Sequence, residues 1–240
     1  MIRVILEHIV HFIFVLPIIL LFMKDRKLGN LKVLLAFSIF FIVNSTLLYL
    51  PIEYNELKLV NGNWNWTGKV YAILGAFIFL MVYRKFELKD YFLTLKQDKK
   101  NLKKGIIILS SILLIQVILD AIYGGSREWN NESILYQLTM PGINEEIAYR
   151  GIMLGLLVKI LKPNNILHPA IIVTSILFGM GHGLFLNSNF ELVFNAGPFI
   201  GTMVLGMIWA WVTIKTGSIL LALLSHNLSN TAGMLIGMIK

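Results

Sequence analysis

The 240-residue chain is 57% hydrophobic and only 14% charged, with a mean hydropathy of +0.74, and this composition excludes an ordinary soluble domain. The net charge of +8 could indicate a nucleic-acid partner. The cations, however, fall in short segments between apolar stretches, where membrane topology requires them, so we expect no nucleic-acid binding. The absence of cysteine excludes disulfides, thiolate metal sites and a cysteine nucleophile.

Apolar stretches of about 20 residues recur along the chain, and this is the length that an α-helix needs to cross about 30 Å of hydrocarbon. They predict an all-α, polytopic membrane protein with a single membrane domain, residues 1–240, and about eight transmembrane helices. The predicted spans lie near residues 4–23, 31–50, 68–83, 105–123, 143–161, 169–186, 192–214 and 217–239. Helix breakers mark their ends, and Pro141-Gly142 is expected to precede the fifth span.

The first span contains three ionisable side chains, Glu7, His8 and His11. Only one early cation, Arg3, precedes them, and no small-residue cleavage site follows. A signal peptide needs both a basic start and such a cleavage site, so we interpret this stretch as a retained transmembrane helix.

Between the third and fourth spans, residues 86–104 interleave apolar side chains with six lysines. This pattern is typical of a basic amphipathic helix on an anionic membrane surface, and a solvated loop is the alternative. We therefore divide the membrane domain into residues 1–104, which hold the N-terminal spans and this basic interfacial helix, and residues 105–240, which hold the polar motifs described below.

The distribution of cations predicts an orientation in the cell membrane. Most of the 21 Lys and Arg residues fall in the loops after spans one, three, five and seven. Because such loops stay on the cytoplasmic side, both termini should face outward. The polar motifs should then lie toward the extracellular half of the bilayer.

The fifth predicted span begins with Asn144-Glu145-Glu146 and continues to Arg150. Glu146 and Arg150 are four residues apart, so they share a helix face and can form an ion pair. Glu145 is rotated by about 100° and has no obvious partner on its own helix. Ionisable groups inside hydrocarbon are candidates for function. The alternative is that Asn144 caps the helix and both glutamates complement its dipole.

Two further spans carry polar side chains. Phe178 and His182 lie four residues apart in the sixth span, and His226 and Asn230 lie four apart in the eighth. Each set alone could serve only in packing or in hydrogen bonds between helices. The convergence of three such spans at a similar depth favours a shared site.

Together these groups supply what amide hydrolysis needs. A carboxylate and a neutral imidazole can hold and deprotonate a water, and an imidazole and a carboxamide can donate to the developing oxyanion. None of the five histidines is followed by Glu, so the zinc-binding H-E-x-x-H helix is absent from the sequence.

The three motifs, Glu145-Glu146-x-x-x-Arg150, Phe178-x-x-x-His182 and His226-x-x-x-Asn230, resemble those of the CAAX protease and bacteriocin-processing (CPBP, or Abi) family, which includes the type II CAAX prenyl endopeptidases. The resemblance covers about the C-terminal hundred residues. It implies that Glu145 is the general base, that His182 helps to hold the water, and that His226 and Asn230 form the oxyanion site. Glu146, Arg150 and Phe178 would have supporting roles.

The resemblance also implies a peptide or membrane-protein substrate, and its bacterial members are linked with bacteriocin or peptide maturation or with self-immunity. We expect no cofactor, although two imidazoles and a carboxylate could in principle hold zinc, because an oxyanion role explains the asparagine better. Two other functions stay open from the sequence. One is a non-catalytic immunity or scaffold protein, and the other is a proton-coupled transporter that uses Glu and His as a relay.

Overall fold

The structure is a computed structural model that describes residues 1–164 and 167–240. These residues are mostly helical, as the composition predicts. The helices are α1 (Ile2–Phe22), α2 (Leu28–Glu53), α3 (Trp66–Val82), α4 (Lys99–Tyr123), α5 (Asn131–Glu145), α6 (Leu154–Ile160), α7 (Pro169–Gly183), α8 (Ala196–Thr216) and α9 (Leu220–Ile239). A π-helical segment, Glu146–Met153, joins α5 to α6, and two short strands, β1 (Leu184–Leu186) and β2 (Leu192–Phe194), lie between α7 and α8.

The lengths and hydropathies of these helices are those of a membrane protein. Within the described residues, α1, α2, α4 and α8 are long and apolar enough to cross a bilayer, and α3 and α7 are shorter apolar helices. The centres of the eight predicted spans all fall on helices. The multi-pass character is therefore supported, and the count of eight crossings stays a prediction.

The fifth predicted span begins twelve residues earlier than expected. α5 starts at Asn131, after Asn130 has accepted a hydrogen bond from the backbone N–H of Ser133 at 2.8 Å as its N-cap. Pro141-Gly142 therefore lies inside the helix, and the prediction that it marks the boundary before the fifth span is wrong. The interpretation of Asn144 as a cap is wrong as well, because Asn144 is a buried residue near the end of α5.

A side chain from another helix explains why the proline does not end α5. Asn227 of α9 accepts a hydrogen bond from the Gly142 N–H at 2.7 Å, and it donates one to the Thr139 carbonyl at 3.3 Å. A proline inside a membrane helix is tolerated when a neighbouring helix satisfies the backbone groups that it frees. The sequence around Pro141 gives no sign of this partner.

The predicted amphipathic helix over residues 86–104 does not form as a separate element. Residues 86–98 contain only a four-residue 3-10 turn, Leu88–Tyr91, and residues 99–104 are the first residues of α4, which has Asp98 as its N-cap. Backbone bonds to the turn between α8 and α9 compete with a helix here: the Asp98 N–H donates to Thr216 at 2.7 Å and the Phe92 carbonyl accepts from Ile219 at 3.1 Å. The segment is hydrogen-bonded to the helix bundle, whereas the prediction was a helix lying on the membrane surface.

The loops that the charge pattern assigns to one side of the membrane do meet at one end of the bundle. The loop after α1 pairs with the end of α6, through bonds from Lys24 N–H to Ile160 and from Lys162 N–H to Phe22, both 2.8 Å long. The segment before α4 reaches the turn after α8 in the same way. Which side of the membrane this end faces stays a prediction.

The sixth and seventh predicted spans both extend too far. α7 ends at Gly183, and residues 184–186 and 192–194, expected to be helical, pair as an antiparallel hairpin with Leu184 opposite Phe194. The hairpin loop satisfies its own backbone, since Asn187 accepts hydrogen bonds from the N–H groups of Asn189 and Glu191. Such local side-chain bonds compete with helix formation.

Candidate active site

A cavity of about 540 Å³ lies among α3, α4, α5, α7, α8 and α9. Its lining includes all four residues predicted to be catalytic, Glu145, His182, His226 and Asn230. They come from three helices that are distant in sequence, so helix packing alone gathers them. The volume is within the range of ligand-binding pockets, and Gly124, Gly125 and Arg127 of the loop that precedes α5 contribute to the lining.

Glu145, the first glutamate of the motif, has a partner on another helix. Its Oε1 accepts from Lys69 Nζ of α3 at 2.5 Å, and the same ammonium donates to Asn144 at 3.2 Å. Lys69 is only 6% exposed, so the pair neutralises two charges that hydrocarbon would penalise. The other carboxylate oxygen, Oε2, has no hydrogen-bond partner in residues 1–164 and 167–240 and lies 3.7 Å from His226 Nε2.

Glu146, the second glutamate, is completely buried and binds two groups. Its Oε1 accepts from Arg150 Nη1 at 2.9 Å, so the ion pair predicted from the four-residue spacing is present. The same oxygen accepts from His226 Nδ1 at 2.8 Å. Glu146 thus connects its own helix to α9 and fixes the orientation of the imidazole. The two glutamates contribute equal charges, but only Glu145 lines the cavity.

Aromatic rings enclose this charged network. Phe178 places its ring centroid 4.2 Å from the Arg150 guanidinium and 4.6 Å from the His182 ring. Trp209 of α8 stacks on His226 with centroids 4.4 Å apart and an interplanar angle of 14°. A cation over an aromatic face is stabilised by the ring quadrupole, so Phe178 both packs and compensates charge. The π segment that carries Glu146 and Arg150 is of a kind often found at functional sites.

His182 and Asn230 present polar atoms to the cavity. His182 Nδ1 lies 2.8 Å from the Phe178 carbonyl, which can only accept, so Nδ1 carries a proton and Nε2 is the ring nitrogen left for another partner. Asn230 lines the cavity, and its side chain makes no hydrogen bond within the part of the chain that the structure describes. Its carboxamide is therefore free to act on a molecule in the cavity.

Residues 127–232 match the family model described as type II CAAX prenyl endopeptidase Rce1-like. The resemblance drawn from the three motifs is thereby confirmed, and all three lie within the matched residues. No curated protein and no solved structure matches the chain.

The Rce1-like domain does not contain all of the groups that surround the cavity. Lys69 lies outside the matched residues and belongs to none of the three motifs. It lies within the third predicted span, so the rule that made Glu145 a candidate should have made Lys69 one as well. Trp209 and Asn227 were also missed. An aromatic residue and an amide inside apolar helices carry no pattern that reveals their partners.

The donor set of the Rce1-like site fits a metal ion poorly. In the described residues, no group of three or more His, Asp or Glu side chains is arranged to hold one. Glu145 Oε1 is already bonded to an ammonium, and Glu146 is committed to Arg150 and His226. A cation in the cavity would be repelled by Lys69, which lines the same space.

Proposed function

We propose that this protein is an intramembrane endopeptidase that cleaves a peptide or membrane-protein segment with a water activated by Glu145. The observation that carries the proposal is the position of Glu145 Oε2, which faces His226 Nε2 across 3.7 Å in a cavity that His182 also lines. The match to the Rce1-like family model supports a protease, and a protease requires a peptide bond to hydrolyse. The carboxylate, the imidazoles and the carboxamide are the groups from which such a site can be built.

Glu145 is the proposed general base. Lys69 occupies Oε1, so Oε2 is the oxygen that receives the proton as the water oxygen attacks the carbonyl carbon. The C–N bond then breaks, and the same proton passes from Glu145 to the departing nitrogen, which leaves as an amine. His182 holds the water through the lone pair of Nε2, because its Nδ1–H is bonded to Phe178.

His226 and Asn230 are the proposed oxyanion donors. Asn230 offers its amide N–H groups without a competing acceptor in the described residues. His226 already uses Nδ1–H for Glu146, so it donates from Nε2 only as an imidazolium. No step requires a metal ion, and we propose metal-independent hydrolysis.

The proposed substrate enters from the outer half of the cell membrane, and a bacteriocin or other peptide precursor is the class that we favour. The orientation and the substrate class rest on the charge distribution and on the family resemblance, respectively. The principal alternative is an immunity or scaffold protein. This alternative is favoured by two ion pairs, Lys69 with Glu145 and Glu146 with Arg150. Together they have no net charge, and their role could be to stabilise the fold alone.

The test compares Glu145→Gln with a matched control, Glu128→Gln, in purified protein reconstituted into lipid nanodiscs. Glu128 is an exposed glutamate of the same domain that does not line the cavity. The first probe is an internally quenched peptide ending in a prenylated CAAX sequence, and the second is an unprenylated peptide library whose products are identified by mass spectrometry. Removing a general base should lower the cleavage rate by about 10²–10⁴-fold, while the control should cleave normally.

Two results would count against the proposal. Cleavage at an undiminished rate by Glu145→Gln would show that Glu145 is not the general base. Folded wild-type protein that leaves both probes intact, while Glu145→Gln loses thermal stability, would favour the scaffold alternative. A chelator in the wild-type assay tests metal independence, since the rate should not change.

A further inference from the structure

Strand β1 begins two residues after His182, and one of its edges is covered by β2. The Gly183 carbonyl accepts from Asn195 at 2.7 Å and the Asn187 N–H donates to Glu191 at 3.0 Å, so odd-numbered residues face β2. By the alternation of an antiparallel ladder, the backbone groups of Leu184 and Leu186 point to the opposite edge. An unpaired strand edge inside a membrane protein is unfavourable unless something covers it.

Three side chains of α1 cover that edge. His11 Nε2 donates to the Leu184 carbonyl at 2.8 Å, Glu7 Oε2 accepts from the Leu186 N–H at 2.8 Å, and Arg3 donates to the Leu186 carbonyl at 3.0 Å. The fourth outward group, the Leu184 N–H, bonds to Met180 at the end of α7. Every outward backbone group of Leu184 and Leu186 therefore has a partner.

The spacing of these side chains matches the strand. Arg3, Glu7 and His11 follow one another at intervals of four residues, which is about 6 Å along a helix, and they lie on one face. Two residues of a strand extend about 6.6 Å, so His11 meets Leu184 and Glu7, one turn away, meets Leu186, while the longer Arg3 side chain reaches the carbonyl of Leu186 as well. We call this set of three residues the α1 ladder. A register match of this kind needs no distortion of either element.

We propose that the α1 ladder consists of positioning residues for His182. Its bonds fix β1, which is continuous with the last turn of α7, and that turn holds the His182 imidazole through the Phe178 carbonyl. A shift of α1 would therefore also shift His182 in the cavity wall, although no residue of the α1 ladder lines the cavity. It also gives a role to ionisable residues of the first span that the proposed chemistry does not use.

The inference rests on the proposed function where it is tested by enzyme activity. Hydrogen–deuterium exchange is therefore a second measurement, because it does not depend on that function. Glu7→Leu and His11→Leu each remove one bond to β1. Glu7→Gln and His11→Gln retain an acceptor and a donor in the same places, and they should rescue. His8→Leu is the matched control, because His8 is a buried histidine of the same helix whose ring bonds to Val4 within α1.

Hydrogen–deuterium exchange of a peptide covering residues 182–187 is measured in nanodiscs, together with kcat and KM on the cleaved probe. Both leucine variants should exchange about tenfold faster in this peptide, since a partly buried hydrogen bond to a charged or polar group is lost. Their kcat should fall about 10- to 100-fold with little change in KM, because a misplaced group harms the reaction more than binding. The glutamine variants and His8→Leu should resemble the wild type in both measurements.

Unchanged exchange in the leucine variants would overturn the ladder, whether or not the protein cleaves any probe. Faster exchange with an undiminished kcat would show that the ladder does not position His182. Equal losses in the glutamine variants would assign these residues to folding alone and overturn the proposal. If the wild type cleaves neither probe, the proposed function fails, and the exchange result by itself still decides whether the ladder holds β1.

Discussion

Lys69 Nζ lies 2.5 Å from Glu145 Oε1, and this contact joins α3 to the first glutamate of the Glu145-Glu146-x-x-x-Arg150 motif. The lysine lies outside the Rce1-like domain, and the glutamate lies inside it. The N-terminal helices are therefore more than a membrane anchor, because they supply the counter-ion of the proposed general base. A buried carboxylate without such a partner would be strongly unfavourable.

Replacing Lys69 with methionine should therefore reduce both folding stability and activity. Methionine keeps much of the volume of lysine but leaves the Glu145 carboxylate without a counter-ion, which we expect to lower the free energy of unfolding by about 3 kcal/mol. The measurement is the thermal unfolding midpoint in detergent, followed by the cleavage rate of the protein that stays folded.

The double variant Lys69→Met with Glu145→Gln separates charge from chemistry. With both charges removed, stability should return toward that of the wild type, whereas cleavage should stay lost. A double variant as unstable as Lys69→Met alone would mean that the ion pair is not what the lysine contributes. The difference between the double variant and the two single variants gives the coupling free energy of the pair.

The sequence was informative where an interaction is local and uninformative where it depends on packing. The pair between Glu146 and Arg150 follows from a four-residue spacing, and the polar residues of three helices were correctly expected in one region. The bond between Lys69 and Glu145 joins residues 76 positions apart, and no spacing rule reaches that far. Asn227 likewise reverses what Pro141 predicts, because a helix breaker acts locally and its compensation does not.

Two asparagines of α9 should respond differently to replacement by leucine. Asn227→Leu would leave the Gly142 N–H and the Thr139 carbonyl without their partner beside Pro141, so we expect about 1–3 kcal/mol of destabilisation. Asn230→Leu breaks no bond in the described residues and should leave the unfolding midpoint unchanged, while kcat falls about 10²–10³-fold through the loss of an oxyanion donor. Thermal unfolding and kcat, measured on both variants, give opposite patterns if this assignment is right.

Acid should weaken the attachment of the segment before α4. The hydrogen bond from Lys159, 2.6 Å from Asp90, holds the pKa of Asp90 below its ordinary value of 3.8. A carboxyl group with a lowered folded-state pKa stabilises the fold at pH values above its unfolded pKa, and this contribution is lost as the pH falls through the folded-state pKa. The unfolding midpoint of Asp90→Asn should therefore lie below that of the wild type near pH 6. The two midpoints should converge below about pH 3, and a gap that stays constant with pH would show that the pair does not titrate as expected.

The orientation of the cavity can be tested with two cysteines, one at each end of α4. The chain has no native cysteine, so each introduced thiol is the sole target of a maleimide. Ser126 is an exposed loop residue, and its sequence neighbours Gly125 and Arg127 line the cavity. Lys100 is exposed in the first turn of α4 and is one of the cations that should stay on the cytoplasmic side. A membrane-impermeant maleimide should label Ser126→Cys in intact cells, and it should label Lys100→Cys only after the membrane is permeabilised.

The reverse pattern would place the proposed active site near the cytoplasmic face and require substrates to enter from there. Labelling of both thiols in intact cells would show that α4 does not cross the membrane, despite its length and hydropathy.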